Sequence, residues 1–478
     1  MSKWETVIGL EVHVQLSTQS KLFCNCSTAF GLEANSSVCP VCLGMPGVLP
    51  VMNRKAVELA LLTGLALNCE VQSFSKMDRK NYYYPDLPKN YQVSQFDRPF
   101  SAGGWLDIEV KGSLRRIGIT RVHLEEDAGK NIHSEKRGCS LVDFNRTGVP
   151  LLEIVSEPDL RSPEEAFSYL KSLRQIVRYL EVSDGNMEEG SLRCDANISV
   201  RLAGEKNLGT KVELKNLNSF RFIQKALEYE AERQMRICEK GEKVIQETRL
   251  FDDSQSKTFS MRTKEEAHDY RYFPEPDLVP FTFSPSDVSR IRELLPELPL
   301  DKKKRFMSEF GLPEYDADVL TGEKDTADYY ERLISFFSDR KMASNWMMGE
   351  WMREMKASNL SLKETSVTPE KFAELLTFIE KGTINTTTGK EVLSEMFKSG
   401  ASAGRIIQSK GLEQIGDRGE LENMVKDVIL QNPQTVEDYK SGKKQAFGFF
   451  VGQVMKKTKG KANPRIVNEI LRELLEGQ

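Results

Sequence analysis

Val7-Ile8-Gly9-Leu10-Glu11-Val12-His13-Val14-Gln15-Leu16 alternates with a period of two: Leu10, Val12, Val14 and Leu16 fall on one side, Glu11, His13 and Gln15 on the other. Successive side chains of a strand point to opposite faces, so this reads as a half-buried strand with one dry and one polar face. The pattern returns in residues 120–126, where Arg121, His123 and Glu125 oppose Val122 and Leu124, ahead of the turn Asp127-Ala128-Gly129. It returns in residues 192–202, where Arg193, Asp195, Asn197, Ser199 and Arg201 oppose an apolar face, and in residues 149–159, which put Glu153 and Glu157 at matching parity. Four acid-bearing strands can line one sheet face that holds Mg²⁺ through hard oxygen ligands. The alternative is an ordinary solvated sheet face, because alternation is normal wherever one side meets water.

Around these strands, residues 7–280 read as short strands broken by Gly, Asn, Asp and Pro, with a few helices between them. One helix opens at Ser162-Pro163-Glu164-Glu165, a capping serine followed by proline and first-turn acids, and another at Asn218-Ser219, stopping at Gly241. This is α+β patterning. Phe273-Pro274-Glu275-Pro276 and the prolines up to 285 set a boundary near residue 290. Beyond it apolar residues recur at helical spacing, and Ser399-Gly400-Ala401-Ser402-Ala403-Gly404 marks a weaker break. The expected units are 1–290, largely antiparallel sheet; 291–402, all-α; and 403–478, a small α-helical tail.

A chain of 478 residues with 39% hydrophobic content can bury more than one core. With 29% charged residues, it offers neither a spanning helix nor the apolar run of a signal peptide, so a cytoplasmic protein with no membrane contact is expected. The net charge of -4 confines any nucleic-acid contact to a local patch. Such a patch exists: Lys440, Lys443, Lys444, Lys456, Lys457, Lys459, Lys461 and Arg465 lie in one stretch without Asp or Glu. It reads either as a nucleic-acid surface or as a solvated basic face.

Cys24-x-Cys26 and Cys39-Pro40-Val41-Cys42 are two close thiolate pairs of the kind tetrahedral zinc requires, and all-sulfur ligation leaves no open position for a substrate. A structural zinc knob over about 24–42 is expected. Asp78-Arg79-Lys80-Asn81-Tyr82-Tyr83-Tyr84-Pro85-Asp86-Leu87-Pro88-Lys89 can hold phosphate through its cations and wall a pocket with its rings, or be a loop anchored by packed tyrosines. There is no GxxxxGK[ST] phosphate loop, and no nucleophile placed to release ammonia from an amide.

Several of these stretches, together with Gly148 onward, Glu213-Leu214-Lys215-Asn216-Leu217-Asn218-Ser219-Phe220 and His268-Asp269-Tyr270-Arg271-Tyr272-Phe273-Pro274-Glu275-Pro276-Asp277, resemble the GatB/GatE family of tRNA-dependent amidotransferase subunits, GatB branch, over nearly the whole chain. The resemblance implies a cradle domain similar to the catalytic domain of glutamine synthetase, then a helical domain and a helical tail. It implies ATP-dependent phosphorylation of the side-chain carboxylate of Glu-tRNA(Gln) or Asp-tRNA(Asn), then amidation with ammonia from an amidase-type A subunit, in a heterotrimer clasped by a small C subunit. DNA has no place in it. On this reading Glu11, His13, Glu125, Glu126 and Asp195 are catalytic, with Glu11, His13, Glu125 and Asp195 at Mg²⁺. Lys80, Tyr82, Lys89 and Glu157 meet substrate or phosphate. Cys24, Cys26, Cys39 and Cys42 bind Zn²⁺, and Lys443, Lys444, Lys456, Lys457, Lys459, Lys461 and Arg465 bind tRNA. Two other readings stay open: a noncatalytic tRNA-binding scaffold, and a free-standing ligase acting on a small acid.

Overall fold

A computed structural model of the protein describes residues 3–134, 138–263, 270–360, 362, 364–414, 417–443, 445–458 and 461–476. Lys444, Lys459, His268 and Asp269, singled out above, lie outside the described residues. The chain divides into two compact units, Met1–Pro299 and Leu300–Gln478.

The first unit is built on a nine-stranded sheet, in the order Lys257–Thr263, Glu247–Asp252, Val212–Lys215, Leu192–Leu202, Trp4–Gln15, Pro150–Ser156, Ser113–Glu126, Ser101–Val110 and Glu70–Val71. Neighbours run antiparallel, except that Val212–Lys215 and Glu247–Asp252 are parallel. The strand quoted first is central. Its even-numbered residues Leu10, Val12 and Val14 are fully buried against Ile154, Leu152, Ala196 and Ile198 of its neighbours and against Leu59, Leu170, Leu173 and Leu227 from three helices. Each such side chain contributes about 1.5–3 kcal/mol of burial. The helices are Arg54–Ala66, Pro163–Tyr179 and Phe220–Glu239. Their starts follow from capping chemistry: Asn53, Ser162 and Ser219 accept backbone N–H groups of the first turn. All three helices contribute to the apolar side of the sheet.

One irregularity matters for the site. Val155 pairs with Arg121, but Ser156 pairs with Ile119, so Thr120 is an extra residue, a β-bulge. Before it, odd-numbered Ile117 and Ile119 face the core; after it, even-numbered Val122 and Leu124 do. The bulge therefore sends Arg121, His123 and Glu125 to the polar side. The unit extends past residue 290, with Ile291 of helix Pro285–Arg292 buried in the same core.

The described residues of the second unit form helices, running from the one that begins at Pro299 to Pro464–Glu476. They enclose two separate apolar clusters, one around Phe306, Tyr330, Trp351, Phe372 and Leu393, the other around Leu421, Val425, Phe450, Val454, Ile470 and Leu471. The large sheet followed by an all-helical region agrees with the expected class.

Candidate active site

The strand register draws the polar residues into rungs. Arg193, His13, Glu153 and His123 lie side by side across four strands, and Asp195 and Glu11 pair on the next rung of the polar face. His13 Nε2 lies 3.5 Å from Glu153 Oε2 and 3.8 Å from both Glu11 Oε1 and Glu125 Oε1. His123 Nε2 lies 3.5 Å from Glu125 Oε2 and 3.5 Å from Glu153 Oε2. Two overlapping donor groups result, Glu11–His13–Glu153 and His123–Glu125–Glu153, each with its ligand atoms within 4.8 Å of one another.

Charge and burial oppose each other here. Burial disfavours the His123 imidazolium, but the Glu153 and Glu125 carboxylates outweigh it and hold His123 up at about 9; His13 is raised for the same reasons. Burial works against the Glu153 carboxylate too, yet the two imidazoles hold it well below the usual carboxylate range, and Glu125 is lowered likewise. Glu11 goes the other way: burial and the nearby Glu153 charge push its carboxyl up. Three carboxylates thus converge on two imidazoles, and a divalent cation would relieve their repulsion. The donor set fits one, with oxygen ligands suited to Mg²⁺ and imidazoles that also admit Mn²⁺.

A three-stranded sheet of Asp78–Asn81, Tyr91–Ser94 and Phe273–Pro274 supplies the remaining groups. Arg79 clamps Glu275 with two hydrogen bonds of 2.7 Å, Ser94 Oγ donates to Glu125 at 3.0 Å, and Lys80 Nζ lies 4.8 Å from the Tyr270 ring centroid and 5.8 Å from that of Tyr82. Burial disfavours the Lys80 ammonium, but the Glu125 and Glu153 charges reverse this and raise it. Tyr272 stacks on Phe96 at 4.4 Å, so rings wall this side. Neither Tyr270, Tyr272 nor the Arg79–Glu275 clamp was singled out for the site from sequence; the residues that carry them lie nearly 200 positions apart.

Not every predicted residue joins. Glu157 is exposed, follows the end of strand Pro150–Ser156 and accepts the Thr120 hydroxyl at 2.8 Å; of the two glutamates that share a parity, Glu153 occupies the cluster, whereas the resemblance pointed to Glu157. Glu126 lies on the parity opposite to Glu125, where it accepts from Lys89 Nζ and, at 2.8 Å, from the Val93 N–H. Both bonds fall on Oε1, and among the described residues Oε2 of Glu126 is buried without a hydrogen-bond partner. Asp195 stands beside Glu11 and accepts from Lys215 Nζ. A cleft of about 750 Å³ is lined by Gln15, Arg193, Lys130 and Arg146 among others, next to the cluster but without its carboxylates. Asp127 accepts from two residues of the cleft lining, Gln15 at 2.7 Å and Arg193 at 2.8 Å.

The thiols of Cys24, Cys26, Cys39 and Cys42 also come within 4.8 Å of one another. The Cys39 N–H donates to Cys42 Sγ at 3.1 Å, and the ammonium of Lys21, only 1% exposed, lies 3.7 Å from the same sulfur. The Cys24 thiol bonded to Cys42, against burial, brings Cys42 down to about 4, while burial pushes Cys26 up to about 11. Four sulfurs with one preformed thiolate fit a tetrahedral thiophilic ion.

Of the described tail cations, Lys443 pairs with Asp438 at 2.8 Å, Lys457 with Asp427 at 3.1 Å and Arg465 with Glu469 at 3.4 Å, while Lys461 donates to the Gly411 carbonyl at 2.8 Å. The acid-free stretch thus meets acids contributed from outside it; Lys456 is exposed.

A sheet covered by helices on one side and carrying a carboxylate–imidazole donor set on the other, in a chain whose remaining part is helical, defines the class of fold. The chain belongs to the GatB/GatE family: residues 6–289 match the GatB/GatE catalytic domain and residues 328–475 the GatB domain. It is 58% identical over 475 residues to the B subunit of the aspartyl/glutamyl-tRNA(Asn/Gln) amidotransferase of Moorella thermoacetica, covering 99% of this chain and 100% of the relative. The protein of the same name from Carboxydothermus hydrogenoformans is 56% identical over 478 residues, covering 99% of each chain. No described helix is long and apolar enough to cross a membrane.

Proposed function

We propose that this chain uses ATP to activate the side-chain carboxylate of glutamate or aspartate carried on tRNA(Gln) or tRNA(Asn), and amidates it with ammonia from an amidase-type A subunit, in a cytoplasmic heterotrimer completed by a small C subunit. The observation that carries the reading is the convergence of Glu11, His13, Glu125 and Glu153 from three strands. The names of the relatives support it, as does an antiparallel sheet open on one face, the form expected of a likeness to the catalytic domain of glutamine synthetase.

In the reaction a carboxylate oxygen attacks the γ-phosphorus and ADP leaves; ammonia then attacks the acyl carbon, phosphate leaves and a proton is lost. Both partners of the first step are anions, so catalysis is mainly positioning and charge compensation. Glu11, His13, Glu125 and Glu153 would hold Mg²⁺, which when bound supplies that compensation at the phosphates. Lys80 holds an anionic oxygen of the acyl group or phosphate, and Tyr82, Tyr270 and Tyr272 keep water from the activated acyl group. Asp195, paired with Lys215, orients a cation beside Glu11. Zn²⁺ on the four cysteines is structural.

The test is ATP hydrolysis by the purified chain with each misacylated tRNA and free ammonium. Turnover that requires Glu-tRNA(Gln) or Asp-tRNA(Asn) and yields the amide is expected. Intact tRNA binding without such turnover would instead favour a scaffold, and turnover with free glutamate alone a free-standing ligase.

A further inference from the structure

Lys215, which donates to Asp195, stands at the edge of the acidic cluster on the same face of the sheet. The ladder places it beside Leu250, and Leu250 beside Phe259. Both apolar neighbours point to the polar side: Leu250 is 37% exposed and Phe259 44% exposed, whereas the adjacent pair Phe251 and Thr258 is buried on the helix side. An exposed aromatic–aliphatic pair on the site face, in register with a lysine, is unlike the rest of that face, where Glu11, His13, Arg193, Asp195 and Glu153 stand.

The shelf is rigid. Thr258 Oγ1 donates to buried Glu230 at 2.9 Å, Arg249 bonds both Oγ1 and the carbonyl of Thr258, and Arg233 holds Glu230 with bonds of 2.7 to 3.1 Å. These contacts bind the last two strands to helix Phe220–Glu239, so the pair is held from behind.

Distance decides what fits. From the Glu11 strand to the Leu250 strand is three strand spacings, about 14 Å. That is the reach of an extended nucleoside triphosphate from its terminal phosphate to its base. Lys215 stands between, one strand from Leu250, and donates to Asp195 beside Glu11. Reading outward from the cluster gives carboxylates for a cation, then a lysine for phosphate, then an apolar shelf.

We infer that Leu250 and Phe259 form the base subsite for the ATP whose phosphates lie at Lys215 and the acidic cluster. The inference rests on the proposed use of ATP. A base packs flat on an aromatic face, and one such stack is worth a factor of about ten or more in affinity.

The test is equilibrium dialysis of the full-length chain with Mg·ATP and with Mg·tripolyphosphate, which lacks the base. For the double variant Leu250→Ser/Phe259→Ser, Mg·ATP affinity is expected to fall about tenfold, with tripolyphosphate binding unchanged or absent in both proteins; Phe259→Trp retains ATP affinity, which separates loss of stacking from loss of fold. If the unsubstituted chain binds Mg·ATP and the double variant binds it equally, the subsite is overturned while the ATP reading stands. Equal weakening of both ligands, or loss of tRNA affinity in place of ATP affinity, overturns it as well. If the unsubstituted chain binds no nucleotide, the proposed function fails and the subsite with it.

Discussion

Glu153 shows what one residue decides. Among the described residues it is the carboxylate shared by both donor groups, and its Oε2 lies 3.5 Å from both His13 and His123. Glu153→Gln should therefore weaken binding of Mn²⁺, used as a paramagnetic probe by water-proton relaxation, by at least about tenfold, whereas Glu157→Gln should leave it unchanged; equal effects would reject the assignment. Glu11, His13 and Glu125 were legible in the sequence because a period of two survives in regular strands. Glu153 and Glu157 could not be ranked, since a bulge leaves no mark in composition. Glu126 was named through the resemblance and not through parity: adjacent residues of a strand face opposite ways, and Lys89 meets it there. A different carboxylate makes a pH prediction. Asp316 is buried, and although burial raises its carboxyl, acceptance from Lys341 and Ser344, at 2.5 Å each, holds it below the ordinary 3.8. A folded value below the unfolded one stabilises above about pH 3.8 and loses that stabilisation as pH falls through the folded value. Asp316→Asn should lower the melting temperature at pH 7, by about 1–2 kcal/mol of stability, and the gap should close in melts taken well below pH 3.8.

At the scale of elements, the Thr120 bulge links two parities of one strand: Ile117 and Ile119 inward before it, Val122 and Leu124 inward after it. Deleting Thr120 would place Ile119 directly before Arg121, and a regular ladder then keeps Ile117, Ile119, Val122 and Leu124 inward and Arg121, His123 and Glu125 on the polar face. Circular dichroism and melting should therefore show a folded variant that loses only about 1 kcal/mol, from the missing bond between Thr120 and Glu157; an unfolded variant would mean that the local bend of the bulge is itself required. The cysteine knob makes a milder prediction. Cys42→Ser, or chelation of the wild type, should lower both metal content and melting temperature without changing ATP turnover beyond the loss of folded protein. The helix starts at Ser162 and Ser219 could be read from capping residues because that chemistry is local. Strand order could not: Val212–Lys215 lies parallel to Glu247–Asp252 across an intervening helix, and nothing in either segment announces it.

For the whole molecule, the passage from sheet to helices was visible in the change of period, and three units were expected where the chain divides into two; not visible were the partners of the tail cations, which come from Asp427, Asp438 and Glu469. If the tail binds tRNA, Lys456→Glu with Lys457→Glu should weaken binding and reduce the slope of log affinity against log salt by about 0.7–0.9 for each phosphate no longer neutralised; superimposable salt curves for parent and variant would reject the role. The central place of Trp4–Gln15 in the sheet has its own consequence, for biosynthesis. Leu10 bonds Ser156, 146 residues away, and Glu5 bonds Arg201, 196 residues away. At roughly 5–20 residues per second on the ribosome, the strand waits on the order of ten seconds for its first neighbour and longer for the second. Throughout that interval its apolar side has no sheet to join, so the nascent chain offers a long-lived substrate for holding chaperones, and slow, non-local pairing should limit refolding from denaturant.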